Sequence, residues 1–397
     1  MSPLVLTSFT AVNALGRGID AVLAALRARR SGLTRCTFED IKLDTWCGAV
    51  AGLDDEPING KLADFDCRNN RLAALALQQD GFDKAVAAAR ARYGAGRIAV
   101  IVGTSTSGIL ETEHAYRRRD AQTGKLPADY RFRTTHNLYA STDYVRHALD
   151  ITGPAATVST ACSSSAKVFA SAARLIELGI CDAAVVGGVD SLCQNTLYGF
   201  ASLELVSNEP CRPLDAERGG ISIGEAAGFA LLERPDNARA HSGVAMLGYG
   251  ESSDAYHMST PHPEGEGAAL SMQRALTSAG LQPADIDYIN MHGTASQVND
   301  AMEDKAITGI FGRSTPASST KGWTGHALGA AGITEAVISA LCIRAGLIPG
   351  TLNTRRLDPA LTGTLPLENS DTPVRCVLSN SFGFGGSNAS IVLGAWA

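Results

Sequence analysis

The side chain best placed for covalent chemistry in this 397-residue chain is Cys162, within Thr157-Val-Ser-Thr-Ala-Cys162-Ser-Ser-Ser-Ala-Lys167. Residues 155–159 are short, apolar and partly β-branched, which predicts a buried strand. Beyond the cysteine, Ala166, Phe169, Ala170, Ala173 and Ile176 recur at helical spacing until Gly179 supplies a stop. Cys162 is therefore expected at a sharp strand-to-helix turn, in the first turn of the helix. Unpaired N–H groups and the positive end of the macrodipole favour an anion there. That predicts a thiol pKa below the ordinary value of about 8.5, with the thiolate as nucleophile. Thr160, Ala161, Ser163 and Ser164 are small and leave room for a bulky substrate. Inert buried thiols share this local pattern, so the choice rests on what else the chain carries.

It carries three further constellations. His292 lies in Tyr288-Ile-Asn-Met-His292-Gly-Thr294-Ala-Ser296, at the end of a short apolar strand. Ligand crevices in open α/β sheets lie outside the carboxyl ends of strands. His292 is thus a candidate for the chemistry, with Thr294 and Ser296 offering hydroxyls to a polar ligand; a turn-capping histidine fits the same residues. Downstream, Asp300 and Glu303 match an acidic capping box at a helix start, and Glu303 also suits a carboxylate that neutralises a buried lysine. Lys321 and His326 share Ser318-Ser-Thr-Lys321-Gly-Trp-Thr-Gly-His326-Ala-Leu-Gly-Ala-Ala-Gly332, a stretch poor in surface residues, so Lys321 is expected to be buried with a partner. Finally Phe382-Gly-Phe384-Gly385-Gly-Ser-Asn388 follows a strand. Such a loop can gate a hydrophobic channel or present N–H groups as an oxyanion hole.

The elements that must position these residues alternate between strand and helix. Strands are expected at 4–8, 97–104, 182–190 and 226–233, an amphipathic helix at 19–30, and one long Ala-rich helix over 69–92. The pattern then restarts: strand 243–250, helix 266–280, strand 286–291, helix 300–311, strand 317–320, helix 332–346, and strands near 375–381 and 388–394. This rhythm predicts an α/β fold with largely parallel sheets, duplicated as two βαβ-rich halves, 1–245 and 246–397. A polar insertion over 111–133 holds Arg117, Arg118, Arg119, Lys125, Arg131 and Arg133.

Composition excludes several classes. A formal net charge of −6 argues against nucleic acid as the main partner. No run of some eighteen apolar residues is evident, so no membrane span is expected, and the N-terminus reads as a first strand, not a signal peptide. Nine scattered cysteines without a C-x-x-C pair suit neither a disulfide framework nor a zinc site. They fit a reducing compartment, hence a cytoplasmic location. No G-x-G-x-x-G follows the first strand, so a dinucleotide fold is not supported.

Taken in order, the four motifs resemble the β-ketoacyl-acyl-carrier-protein synthases, the elongating condensing enzymes of fatty-acid and polyketide assembly, over nearly the whole chain. The resemblance implies a thiolase fold, with two duplicated halves in a five-layered αβαβα arrangement. It implies decarboxylative Claisen condensation of an enzyme-bound acyl group with malonyl-acyl-carrier protein. Cys162 would be the nucleophile, His292 and His326 the catalytic histidines, and Lys321 the buried lysine accompanied by Glu303. Phe384, followed by Gly385, would be the gating phenylalanine, and Phe200 a second phenylalanine near the acyl entrance. Thr294 and Ser296 would meet the pantetheine arm, and the N–H groups of Cys162 and Phe384 would form the oxyanion hole. No metal or redox cofactor is implied, since substrates ride on the phosphopantetheine of acyl carrier protein. The family's habit predicts a homodimer or a ketosynthase heterodimer with strand 155–159 at the twofold. The basic insertion is a candidate dock for the acidic carrier protein.

Some positions depart from the family pattern. Gly219 and Ile221 stand where the family commonly has Asp and Phe, Ala295-Ser296 replaces Gly/Ser-Thr, and the loop Gly103–Gly108 is altered. These point to a specialised pathway, such as an aryl-polyene or polyketide-like lipid, as readily as to ordinary fatty-acid elongation. The alternatives are a starter-type enzyme using coenzyme A, a non-catalytic partner subunit of a heterodimeric ketosynthase, and a Cys–His hydrolase. Starter enzymes usually pair Cys with one His and an Asn, non-catalytic subunits typically lack the nucleophile, and a hydrolase needs no second histidine.

Overall fold

The first half of the chain supplies strands β1 (Leu4–Asn13), β2 (Ile98–Gly103), β3 (Ala155–Val158), β4 (Ala183–Asp190) and β5 (Ala226–Glu233). The second supplies β6 (Val244–Ser253), β7 (Tyr288–Asn290), β8 (Ala317–Ser318), β9 (Cys376–Gly383) and β10 (Ser387–Ala395). These come from a computed structural model that describes residues 1–237 and 242–396; residues 238–241, between the halves, lie outside the described residues. The spatial orders are β3-β2-β4-β5-β1 and β8-β7-β9-β10-β6. Counted within its own half, each reads third-second-fourth-fifth-first. The senses agree too: the second strand runs parallel to the third and fourth, while the fourth–fifth and fifth–first pairs are antiparallel. The duplication is therefore a property of the topology, and the sheet is mixed where largely parallel pairing was expected. Leu4 opposite Met246 and Val5 opposite Ala245 join the halves through β1 and β6.

Three helix layers enclose the sheet halves. On the outer face of the first half, α2 (Arg68–Leu77), α3 (Phe82–Tyr93) and α4 (Ala140–Ala148) set Leu72, Val86 and Val145 against Val100 and Val185. On the other outer face, α7 (Glu266–Ala279) and α8 (Gln297–Phe311) set Met272 and Ile307 against Ile289, Leu378 and Val392. Between the halves run α5 (Ser164–Glu177) and α9 (Ala331–Ala345), whose Val168, Phe169, Ile333 and Val337 pack with Ile101, Val186, Val377 and Ile391. The layers read αβαβα. Strands covered on both faces need continuous apolar runs, which explains why every residue of β2 and of β4 is buried.

The middle layer explains a departure from expectation. In α9, Ala331 to Ile343 are all buried, so no polar stripe interrupts the helix. With its preceding turn, Leu328–Ala345 is long and apolar enough to cross a membrane, contrary to the reading that no such run exists; its burial marks it as a core helix. Gly332 lets α9 approach α5: a Cβ there would lie 2.5 Å from Ala166 N. That contact sets the N-terminal ends of the two helices side by side.

Other expectations shift for local reasons. The stretch 69–92 is two helices, broken where Asp80 (φ 56) and Gly81 (φ 68) turn left-handed. The first strand runs on to Asn13, and the helix expected over 19–30 is α1 (Ile19–Arg27). Strand β3 was expected to be buried, yet it is the outer edge of the sheet and only partly covered. In the basic insertion, Arg117 pairs with Asp40, Arg118 with Asp129 and Arg131 with Asp64, so these cations are matched within the chain.

Candidate active site

Cys162 follows Ala161, whose φ of 53 makes the sharp turn between β3 and α5. The flanking serines knit this turn. Thr160 N donates to Ser164 Oγ at 2.9 Å, Ser164 Oγ donates to Ala161 O at 2.6 Å, and Ser163 Oγ donates to Thr160 O at 2.9 Å. On the neighbouring helix end, His326 N donates to Ser222 O at 2.7 Å and Gly224 N to His326 O at 3.0 Å. Pinned in this way, His326 places Nε2 3.0 Å from Cys162 Sγ. The His292 ring stands edge-on to that of His326 at 5.3 Å between centroids. The sulfur and one nitrogen of each ring all lie within 4.8 Å of one another. Gly383 packs onto the turn, and the Phe384 N–H bonds the Cys162 sulfur.

Burial governs the electrostatics. It pushes the Cys162 thiol up to about 12, and nearby Lys321 offsets only part of that rise. The lowering expected from the helix start does not prevail, because the sulfur is enclosed and the carboxylates of Asp190 and Glu335 also disfavour a thiolate. Burial, then Lys321, holds both His292 and His326 well below the usual histidine range, so both rings are neutral. Lys321 Nζ lies 3.3 Å from His292 Nδ1 and also donates to His292 O. An ammonium group can only donate. His292 Nδ1 must then accept, which leaves the proton on Nε2. Among the described residues, His326 Nδ1 is buried without a partner. A bare lone pair is tolerated there better than an orphaned N–H, so His326 also carries its proton on Nε2.

The carboxylate that meets Lys321 is Glu335 of α9, not Glu303. Glu303 instead accepts from His292 N and Gly293 N, both at 2.8 Å, and from Asn380 Nδ2 at 3.1 Å. It holds the backbone from which His292 projects, and burial pushes its carboxyl up to about 7. Nor do Asp300 and Glu303 form a capping box. Ser296 caps α8 by accepting from Asn299 N, while Asp300 accepts from Leu214 N and faces Arg218 at 3.6 Å. The Ser296 hydroxyl is thus committed to the cap, with Thr294 Oγ1 3.1 Å away.

A cavity of about 350 Å³ opens onto this cluster, lined by Cys162, His292, His326, Phe200, Phe384, Thr294, Ser296 and Gly385. Phe200, on α6 (Gln194–Ser202), packs against Phe384 at 5.6 Å. Gly385 has φ 80 and donates its N–H to Met258 O at 2.7 Å, which ties the phenylalanine loop to the segment beginning at Asp254. Lys321 and Glu303 sit outside the cavity, behind His292.

Two residues escaped the sequence reading. Glu335 had a visible signal, being the one acid in the apolar run 331–345. Asp190, fully buried at the end of β4, accepts from Thr104 Oγ1 at 2.6 Å, Thr106 N at 3.0 Å and Gly329 N at 2.6 Å. It bolts the loop after β2 to the turn after His326. Its position at a strand's carboxyl end is the same signal that drew attention to His292.

A cysteine at the head of one buried helix, facing two neutral histidines in a duplicated five-layer fold, defines a condensing enzyme of the thiolase type. The chain belongs to the β-ketoacyl synthase family: the family's N-terminal domain matches residues 1–238 and its C-terminal domain residues 244–355. It is a carbon–carbon bond-forming acyltransferase that joins an enzyme-bound acyl group to malonyl-acyl-carrier protein in fatty-acid or polyketide-like elongation. The chain is 40% identical to the 3-oxoacyl-[acyl-carrier-protein] synthase 2 of Rhizobium meliloti (strain 1021) over 74% of its length and 73% of the relative's. It is 32% identical to the mitochondrial synthase of Arabidopsis thaliana over 98% and 92% of the two chains. Among solved structures it is similar to a ketosynthase in complex with its chain length factor from Xenorhabdus doucetiae. That match has 39% identity, a TM-score of 0.89, and covers 100% of this chain and 98% of the other.

Proposed function

We propose that Cys162 accepts the acyl group and that His292 and His326 together stabilise the enolate of the incoming malonyl unit. The observation that carries this reading is the position of Lys321 Nζ, 3.3 Å from His292 Nδ1, which assigns the ring proton to Nε2 and so offers Nε2–H to a substrate oxygen. In the first half-reaction, the Cys162 sulfur attacks the thioester of an acyl chain on acyl carrier protein. The N–H groups of Cys162 and Phe384 hold the oxyanion, and His326 Nε2–H steadies the sulfur as it gains charge. Because burial keeps the thiol protonated, proton loss accompanies attack, and that proton ends on the departing pantetheine sulfur. In the second half-reaction, malonyl thioester loses carbon dioxide while both Nε2–H groups donate to its carbonyl oxygen. The enolate attacks acyl-Cys162, the sulfur leaves and regains a proton, and the product is a 3-oxoacyl chain two carbons longer. Phe384, resting on Phe200, closes the acyl side between the steps. These steps draw on this chain's own residues and need no metal or redox group.

The chain is the catalytic member of a dimer, homodimeric or paired with a chain length factor. The half-covered edge strand β3 and the exposed Phe132, Leu138 and Tyr139 support this, as does the likeness to a ketosynthase solved with such a partner. Nine free cysteines support a reducing, cytoplasmic setting.

The test is intact-mass spectrometry after incubation with acyl-carrier proteins bearing different chains. One acyl group should add to the native protein and not to Cys162→Ala. Acylation that persists in the variant, or fatty-acid release without chain extension, would overturn the assignment.

A further inference from the structure

Gly219 and Gly220 lie side by side in the wall of the catalytic cavity, yet only one of them has to be glycine. Gly220 has φ 117, and a Cβ on it would sit 2.2 Å from Leu205 O. Gly219 has no such constraint. Its φ is not positive, and among the described residues, its chain neighbours aside, the one atom within 4 Å of a Cβ built there is Ser207 Oγ, at 3.9 Å. Neither the backbone nor crowding accounts for the missing side chain. What its absence preserves is open space, because Gly219 is exposed on the cavity rim.

The position of that space matters. Gly220 N donates to Ala295 O at 3.1 Å, between Thr294 and Ser296. Three residues after Gly219, Ser222 O receives the N–H of His326. Gly219 therefore lies between the loop carrying Thr294 and the segment that fixes His326, on the rim of the cavity that holds Cys162. The cavity surface is largely apolar, with Phe200, Leu205, Ile221 and Val298 lining it beside the polar Glu204, Arg218 and Gln297.

We propose that Gly219 is a specificity-determining residue, and that the breadth it leaves admits acyl groups that are rigid and planar next to the thioester, conjugated or aromatic. The proposal rests on Cys162 as the acyl acceptor. A saturated chain rotates about each of its carbon–carbon bonds and passes a narrow mouth one segment at a time. A conjugated or aryl acyl group presents its whole outline at once. A side chain at position 219 obstructs the second and spares the first.

The experiment compares Gly219→Ala and Gly219→Leu with the native protein. Transfer to Cys162 from carrier protein bearing hexanoyl or trans-cinnamoyl thioester is followed by intact mass, alongside thermal melting. Glycine-to-alanine at an ordinary φ does not destabilise, so Gly219→Ala should melt no lower than the native protein. Gly219→Leu should lower cinnamoyl transfer about tenfold or more while hexanoyl transfer changes far less, with Gly219→Ala in between. An unchanged ratio between the two acyl groups, in variants that still melt cooperatively, would overturn the proposal. If the native protein takes neither group on Cys162, the reading beneath it fails first, and the two failures are told apart by the native control.

Discussion

Glutamine at position 335 separates charge from hydrogen bonding behind His292. The variant Glu335→Gln keeps an oxygen for Lys321 Nζ but removes the counter-charge from a pair whose side chains are only 2% and 3% exposed. Removing one partner of a buried ion pair costs about 3–5 kcal/mol, and the retained hydrogen bond makes that an upper figure for stability. The chemical effect runs through His292. Glu335 draws Lys321 to its place 3.3 Å from Nδ1, and that contact holds the ring as an Nε2–H donor. Loss of one such preorganised donor costs about 2.7–4 kcal/mol of barrier, or about 10²–10³ in rate. In the proposed mechanism acyl transfer to Cys162 uses the N–H groups of Cys162 and Phe384, neither of which touches Glu335, and losing the Glu335 charge removes one of the groups that disfavour the Cys162 thiolate. Decarboxylation of malonyl-carrier protein, measured as carbon dioxide released, is expected to fall by about 10²–10³. Acylation of Cys162, measured by intact mass, is expected to fall less than about tenfold. Equal losses in both half-reactions at an unchanged melting temperature would refute this division of labour, as would full decarboxylation in the variant.

With its thiol pushed up to about 12, Cys162 should be alkylated by iodoacetamide at a rate still climbing from about pH 7 to about pH 10; a plateau below pH 9 would contradict this. Cys67, Cys193 and Cys376 are likewise raised by burial, to about 12. Unfolded thiols ionise first, so above about pH 9 the unfolded state holds fewer protons than the native state, and stability must fall as pH rises toward 12. A melting temperature that stays flat across that window would refute the sign. Gly332→Val forces a Cβ to within 2.5 Å of Ala166 N at the crossing of α5 and α9. Overpacking of this kind costs about 1–3 kcal/mol, and urea unfolding should report it together with a loss of Cys162 acylation. Native-like activity would mean that the helix crossing does not set the Cys162–His326 geometry.

The strands and most helices were legible because their signals are local. Runs such as Ile98–Gly103 and Ala183–Asp190 are continuously apolar, since both faces of the sheet are covered. The helix over 69–92 was read too long because Ala-rich periodicity on either side outweighed one left-handed turn. Strand β3 looked like a core strand by composition, yet composition cannot say whether a strand has a neighbour on its far edge.

The cysteine, both histidines, the lysine and the glycine–phenylalanine loop are legible as site candidates from sequence alone, because each sits in a short motif whose residue types and spacing are the signal. Tertiary structure decided their pairings. Glu335 reaches Lys321 only because α9 passes behind His292, fourteen residues along the chain from the lysine, and Glu303 is spent on two backbone N–H groups. The pKa of Cys162 was misread from sequence for the same reason. A helix start is visible in a string of residues, whereas the burial that outweighs it is the sum of what α9, the His292 loop and the Phe384 loop place around one sulfur.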